Sequence, residues 1–323
     1  MSQIVVVGAG FAGLSAAVRL AKSHHDVTLL EASERVGGAL HGIEIDGRRW
    51  NLHPQAVTTP GVFRDLFRKS GRTMEASLGL APAPPRRHVF ASGSVLDLPH
   101  GHRSEQHDAI EALVGFDTWS PWVDSLAEVW EVLRRQSYDQ VLTGPEAFDR
   151  AARKLLHPRR MMTSFGRRSF GDPRLRKLVL DPVRHHGLDR GATPAFLSVW
   201  HYVERTFGQW SFDGDWPGLA AALEKRLRER KVDLRTGTRG LSIARDGDRV
   251  VGVDTDAGRV DAEVVIWCNR SVPTGDARRS GTPAVPASRT FLVLGEDPPE
   301  LAPETLVHGN PPVLAHRTSP GVW

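Results

Sequence analysis

The apolar positions of the first thirty residues change rhythm twice. Ile4-Val5-Val6-Val7 is an unbroken β-branched run; then Phe11, Leu14, Val18 and Ala21 recur at helical spacing; then Val27-Thr28-Leu29-Leu30 is compact and apolar again. The pattern predicts strand, helix, strand. The joint between the first strand and the helix is Gly8-Ala9-Gly10-Phe11-Ala12-Gly13. In that place Gly8 permits the turn, Gly10 lets backbone approach a pyrophosphate, and Gly13 lets helix and strand pack closely. Phosphates at such a turn meet the N–H groups and dipole of a helix N-terminus. The second strand ends in Glu31, about 20 residues past the motif, where a carboxylate accepts from both hydroxyls of an adenosine ribose and repels a 2′-phosphate. An adenosine nucleotide without that phosphate is expected there, and NADP is disfavoured.

Further along, a helix is predicted from Val62 to Ser70, preceded by Thr59-Pro60 and closed by Gly71. After the breaker cluster Pro82-Ala83-Pro84-Pro85, the runs His88 to Ala91 and Ser94 to Leu98 flank Ser92-Gly93 and read as a hairpin. Residues 105–207 are mostly helical by pattern, clearest at Trp122, Val123, Leu126, Val129, Trp130 and Leu133. That stripe reads as core, with a substrate wall as the alternative. Leu219, Leu223 and Leu227 mark another helix, and strands are predicted at 232–234, 241–244, 249–254, 258–260 and 263–267. Val264-Val265-Ile266-Trp267 is apolar throughout, as a strand covered on both faces would be. Pro312 to His316 is also strand-like.

Composition narrows the field. With 323 residues, 40% apolar and 25% charged, the chain has material for a sizeable core and is not disordered. No window of about 18 apolar residues is free of charge, so a membrane span is not expected. Only Met1-Ser2-Gln3 precedes the first strand, which leaves no charged leader, and the chain is read as cytoplasmic. A lone cysteine, Cys268, excludes an internal disulfide and a cysteine-rich metal site, and ending an apolar strand it reads as an inert thiol. Redox chemistry therefore needs a borrowed cofactor. The net charge is +4, and the pairs Arg86-Arg87, Arg159-Arg160 and Arg167-Arg168 are scattered along the chain, which reads as solvated faces rather than a nucleic-acid stripe. His100, His102 and His107, near Asp108, and the adjacent His185-His186 fit no mononuclear metal spacing and are read as solvent-facing. Gly-x-Ser-x-Gly is absent, so nothing argues for a hydrolase.

What separates flavin from nicotinamide is the stretch Leu30-Glu31-Ala32-Ser33-Glu34-Arg35-Val36-Gly37-Gly38, which sets a second glycine pair just past the ribose carboxylate. With the first motif, it resembles the flavin-dependent amine oxidase and phytoene desaturase superfamily, most of all its phytoene desaturase-like branch. Looser likeness runs through Asp46-Gly47, Trp50-Asn51-Leu52-His53-Pro54, Gly187-Leu188-Asp189 and Phe207-Gly208-Gln209-Trp210, covering most of residues 1–270. The resemblance implies an α/β fold: a discontinuous Rossmann-like FAD-binding domain, residues 1–85 and 212–285, with a mainly helical α+β substrate or cap domain, 86–211 and 286–323, inserted. It implies FAD as cofactor, held by Gly8, Gly10, Phe11, Ala12, Gly13, Glu31, Ala32, Arg35, Gly37 and Gly38. The implied activity is oxidation of an apolar or amine-bearing small molecule by hydride transfer to flavin N5, with no catalytic residue named, no nucleic-acid partner, no metal, and peripheral membrane contact left open. Two alternatives stay open: an NAD-dependent dehydrogenase, and a truncated, inactive homologue with weak nucleotide binding.

Departures from the family pattern motivate the last alternative. Ala39 stands where the family has a phosphate-binding arginine, and His53 where it has a glycine that leaves room for the flavin ring. His53 is then either a steric conflict or a new polar group at the ring. Gly214-Asp215-Trp216-Pro217-Gly218-Leu219 replaces the usual Gly-Gly-x-x-x-Leu before a helix. The family's closing Gly-Asp segment has no counterpart before Gly321-Val322-Trp323, so the resemblance makes the chain a fragment or a trimmed homologue.

Overall fold

The structure, a computed structural model, describes residues 1–54, 56–140, 145–185, 187–269, 289–298 and 300–323. The expected 285/286 boundary and His186 lie outside the described residues. The chain divides into two compact units, Met1–Ala81 with Trp210–Gly281, and Pro82–Gln209 with Thr282–Trp323.

The first segment carries β1 (Gln3–Val7), α1 (Phe11–Lys22), β2 (Asp26–Leu30), the hairpin β3 (Ile43–Ile45) and β4 (Arg48–Trp50), α2 (Gly61–Ser70) and the short β5 (Leu80–Pro82). The second carries β6 (Arg86–Phe90), β7 (Val95–Leu98) and the α-helices α3 (Arg103–Val114), α4 (Trp119–Ser125), α5 (Ala127–Leu133), α6 (Arg150–Leu156), α7 (Met162–Ser169), α8 (Pro173–His185) and α9 (Trp200–Phe207). The chain then makes β8 (Trp210–Phe212), α10 (Asp215–Glu229), β9 (Asp233–Arg235), β10 (Gly240–Asp246), β11 (Arg249–Thr255), β12 (Gly258–Asp261) and β13 (Val264–Trp267). Near its end lie β14 (Glu304–His308) and β15 (Val313–His316).

In the first unit the strands stand in the order β13-β1-β2-β9, all parallel, with Val5 opposite both Val265 and Thr28. Side chains alternate across this sheet. Ile4 and Val6 share a core with Leu14 and Val18 of α1, Phe67 of α2, and Leu219, Leu223 and Leu227 of α10. Val5 and Val7 turn the other way, against Val253 of the antiparallel sheet β10-β11-β12 and Ala262 just after it. Two covered faces explain why residues 4–7 admit no polar side chain. The strand expected at 264–267 is β13, last in its sheet among the described residues: Val264 is exposed, while Ile266 packs on one face and Val265 and Trp267 on the other, each half buried. The strands predicted at 241–260 are present but form their own sheet, outside the parallel one.

The chain leaves β1 through α1 to β2 on one side, while β13 returns on the other. Strand order therefore reverses at β1, and in open α/β sheets ligands bind in the crevice beyond the strand ends at such a point. The first unit is thus Rossmann-like.

In the second unit β15-β14-β6-β7 form a mixed sheet, parallel only between β14 and β6. The predicted hairpin is β6 and β7, turning through Gly93 at φ 82°. Phe90, Leu96 and Leu98 of this sheet pack with Trp119, Phe165, Phe170, Leu175 and Val179. The stripe of α4 and α5 is core: Val123, Leu126, Val129 and Leu133 are buried, and Trp122 and Trp130 pack against them. Among the described residues no helix is long and apolar enough to cross a membrane.

Candidate functional site

At the end of β1 the chain turns through Gly8, at φ 96°, a region that suits glycine. Its N–H donates to Leu30 O at 2.8 Å, tying the turn to β2. A Cβ on Gly13 would stand 1.8 Å from Gly8 O, so the close approach of α1 to the turn needs glycine there. Gly10 differs: a Cβ at that position would meet nothing within 4 Å, and α1 starts there with no side-chain cap. An uncovered helix N-terminus is where an anion is stabilised.

Glu31 continues β2 into the same place. Its Oε2 accepts the Ala9 N–H at 2.8 Å, and its Oε1 accepts the Ser33 N–H at 2.9 Å. The carboxylate is thus held by backbone donors, with lone pairs to spare for ribose hydroxyls. The second glycine pair is stitched onto the first turn: Gly37 N–H donates to Ala9 O at 2.8 Å, and a Cβ on Gly38 would lie 3.6 Å from Gly10 Cα. Gly37, at φ 106°, has no room for a side chain, since a Cβ would lie 2.6 Å from His41 Nε2. Phe11, Ala12 and Ala32 are exposed around this cradle, and Phe11 rests on the ring of Phe63 at 5.9 Å. Arg35 is also exposed; its carbonyl accepts from the Ser33 hydroxyl.

The two departures at Ala39 and His53 meet. His53 Nε2 lies 3.0 Å from Ala39 O, and its ring packs on Trp216 at 5.0 Å. Asn51 fixes this corner, accepting the His53 N–H on Oδ1 and donating through Nδ2 to Asp215 Oδ2 at 2.8 Å. Trp216 Nε1 donates to Pro54 O. The imidazole is therefore bound to the protein's own backbone. Asn51, Asp215 and Trp216 add to the expected site residues; their signals in the sequence are Trp50-Asn51-Leu52-His53-Pro54 and the unusual Gly214-Asp215-Trp216-Pro217 at the start of α10.

The second unit holds buried polar groups, and among them Arg86, expected on a solvated face, is instead drawn inward by two carboxylates. Arg86 bridges Glu304 and Glu204; burial pulls its guanidinium down, but the two carboxylates outweigh burial and hold it above the ordinary arginine range. Beside it, His201 is buried against the rings of Trp119, Trp122 and Trp200, and among the described residues its Nε2 has no hydrogen-bond partner. Burial, reinforced by Arg86, pushes its pKa down to about 3. A second chain links Asp181 Oδ2 to His308 Nδ1 at 2.8 Å and His308 Nε2 to His88 Nδ1 at 3.0 Å. Burial would raise Asp181, yet the hydrogen bond from His308 and the charges of Lys177 and Arg190 hold it below its usual value.

The histidines read as solvent-facing divide. His100 is fixed, its Nδ1 accepting the Gln209 N–H at 3.0 Å and its Nε2 meeting Pro84 O at 3.2 Å. His107 pairs with Asp117, whose hydrogen bond raises the imidazole above its usual value. His102 is exposed. Among the described residues no three His, Cys, Asp or Glu side chains form a metal-holding group. Cys268 is half buried, and burial raises its thiol.

Residues 11–269 match the family described as flavin containing amine oxidoreductase. A 4,4'-diaponeurosporene oxygenase of Staphylococcus aureus is 28% identical over 297 residues, spanning 84% of this chain and 56% of the relative. The chain thus spans a little over half the length of the curated relatives it matches. Among solved structures, an oxidoreductase from Methanosarcina mazei superposes with a TM-score of 0.56 at 17% identity, over 82% of this chain and 58% of the other. Putrescine oxidase bound to putrescine gives 0.54 at 16% identity, over 82% and 57%. At these identities the structural likeness speaks for the fold.

Proposed function

The chain belongs to the flavin-containing amine oxidoreductase family, whose cofactor is FAD, and from that premise we propose that it is a flavin-dependent oxidase or desaturase acting on an apolar or amine-bearing small molecule. The observation that carries this reading is Glu31. Its carboxylate, oriented by the Ala9 and Ser33 N–H groups, stands beside an uncovered helix N-terminus at Gly10. Ribose hydroxyls would meet the carboxylate, and a diphosphate the N–H groups of Phe11, Ala12 and Gly13. Gly37 and Gly38 would close the far side without side-chain bulk. Ala39 brings no charge to that side, so backbone N–H groups and Arg35 would neutralise the diphosphate. His53, held by Ala39 O and Trp216, would wall the cradle as a fixed polar ring.

The chemistry the flavin supplies when bound is acceptance of a hydride at N5 from a substrate C–H. The chain's own part is to bind, orient and keep water away. The apolar-substrate reading draws support from the diaponeurosporene oxygenase relative, the amine reading from the family description and putrescine oxidase. We take residues 1–85 and 212–285 as the FAD-binding domain and the inserted 86–211 with 286–323 as the substrate domain, a reading supported by the division of contacts between Ala81 and Pro82 and between Gln209 and Trp210.

The test is the visible spectrum of the purified chain, then anaerobic bleaching by 4,4'-diaponeurosporene or by putrescine. A yellow, two-banded chromophore released on denaturation is expected. A colourless chain that is stabilised by NAD and indifferent to added FAD would overturn the proposal.

A further inference from the structure

Charge is unevenly spread along this molecule. Residues 150–190 hold twelve Lys and Arg against three Asp, a net +9, which leaves the remainder at −5 beneath the overall +4. The three acids in this segment are already engaged. Asp172 pairs with Arg174 at 2.7 Å, Asp181 with His308, Lys177 and Arg190, and Asp189 Oδ1 accepts the N–H groups of Gly191 and Ala192. Asp149, just before α6, is taken by the Ala152 N–H and Gln136. Arg150, Arg153, Lys154, Arg159 and Arg160 form no ion pair among the described residues.

Four of the cationic or donor groups converge. Arg153, His157, Arg159 and Arg160 line one open concavity at the C-terminal end of α6, all of them exposed. Arg159 and Arg160 are solvated, as expected, and the turn gathers them with Arg153. The turn is fixed. His157, at φ 44°, donates its N–H to Arg153 O, Arg160 N–H donates to His157 O at 2.8 Å, and Arg160 O accepts from Ala195 N at 2.7 Å. Arg160 lays its guanidinium over the Phe165 ring at 4.9 Å, a cation–π contact that holds the group in place. Like charges gathered on a rigid turn repel unless an anion comes between them.

We propose that Arg153, His157, Arg159 and Arg160 form a binding site for a phosphoryl anion. A phosphoryl group offers three acceptor oxygens and up to two charges, and planar guanidinium forks bind it in pairs. The source is either a lipid headgroup or a free phosphate, and the two are separable by experiment. The site is independent of the flavin reading.

The full chain is titrated with inorganic pyrophosphate by calorimetry and floated with vesicles of phosphatidylcholine alone or mixed with phosphatidylglycerol. Binding to pyrophosphate indicates a soluble ligand; flotation only with the anionic vesicles indicates a headgroup. In either case R153Q/R159Q is expected to weaken binding roughly tenfold or more, while R249Q, an exposed arginine of β11, leaves it unchanged. The single R159Q carries the same test if the double variant loses its unfolding transition. Absence of binding to both probes, equal flotation with both vesicle types without pyrophosphate binding, or equal binding by wild type and R159Q would overturn the proposal, as would binding to single-stranded RNA alone.

Discussion

Glu31 has two jobs in the proposed cradle: its carboxylate ties the turn after β1 to the loop after β2, and on our proposal it would also accept from the ribose hydroxyls. Glu31→Ala removes both, and charged hydrogen bonds of this kind contribute about 1.5–3 kcal/mol each. FAD affinity is expected to fall by at least tenfold, read as flavin per protein after gel filtration, with the fold retained. Unchanged flavin content in that variant would place the ribose elsewhere. The glycines allow a sharper contrast. Gly13→Ala puts a methyl 1.8 Å from Gly8 O and is expected to abolish the folded first unit. Gly10→Ala meets no atom, at an ordinary φ of −70°, so stability should change by about 1 kcal/mol or less. Yet the methyl fills the space a diphosphate needs, so flavin should be lost. A Gly10→Ala chain that keeps its flavin would count against the cradle.

At the scale of elements, the first unit depends on α10, which is far from α1 in sequence but packs on it through Leu219, Leu223 and Leu227. Leu223 is fully buried. Leu223→Ala is expected to destabilise the first unit by about 2–5 kcal/mol, seen as a lowered denaturant midpoint with unchanged slope. The strand, turn and helix of residues 3–30 were legible because their signals are local: a run, a glycine spacing and a helical period within thirty residues. So was Gly71 as the stop of α2, where it takes φ 117°. Partnership was not legible. How deeply Val264 to Trp267 would be covered was not legible, because composition does not say which strand stands last in a sheet, as β13 does among the described residues. The pairs Asn51 with Asp215, Asp181 with His308 and His88 with His308 are 164, 127 and 220 residues apart, and no periodicity links positions so distant. The candidate site follows the same rule: its glycines and Glu31 lie within one βαβ stretch, whereas its second wall, His53 on Trp216, required the tertiary fold.

For the molecule as a whole, acid is the condition under which the second unit's buried polar groups govern stability. His201 titrates near the ordinary imidazole value when unfolded, about 6.5, but at about 3 in the folded chain. Between those values the unfolded chain binds a proton that the folded one does not, so stability rises with pH across the window and is lost as pH falls from about 6.5 toward 3. The slope from one such proton approaches ~1.4 kcal/mol per pH unit. Asp181 adds to the loss at the acid end, because its depressed carboxyl contributes in full above the ordinary aspartate value and loses that contribution as pH falls below it toward the folded value. His201→Phe replaces the imidazole with a ring among the same tryptophans. The extra volume costs some stability at neutral pH, but the slope between pH 6.5 and 4 should flatten by close to one proton. Urea unfolding followed by tryptophan fluorescence at half-unit pH intervals measures that slope. If wild type and His201→Phe lose stability in parallel over this range, His201 is protonated or solvated in the folded chain, and the sealed aromatic surround of its ring is wrong.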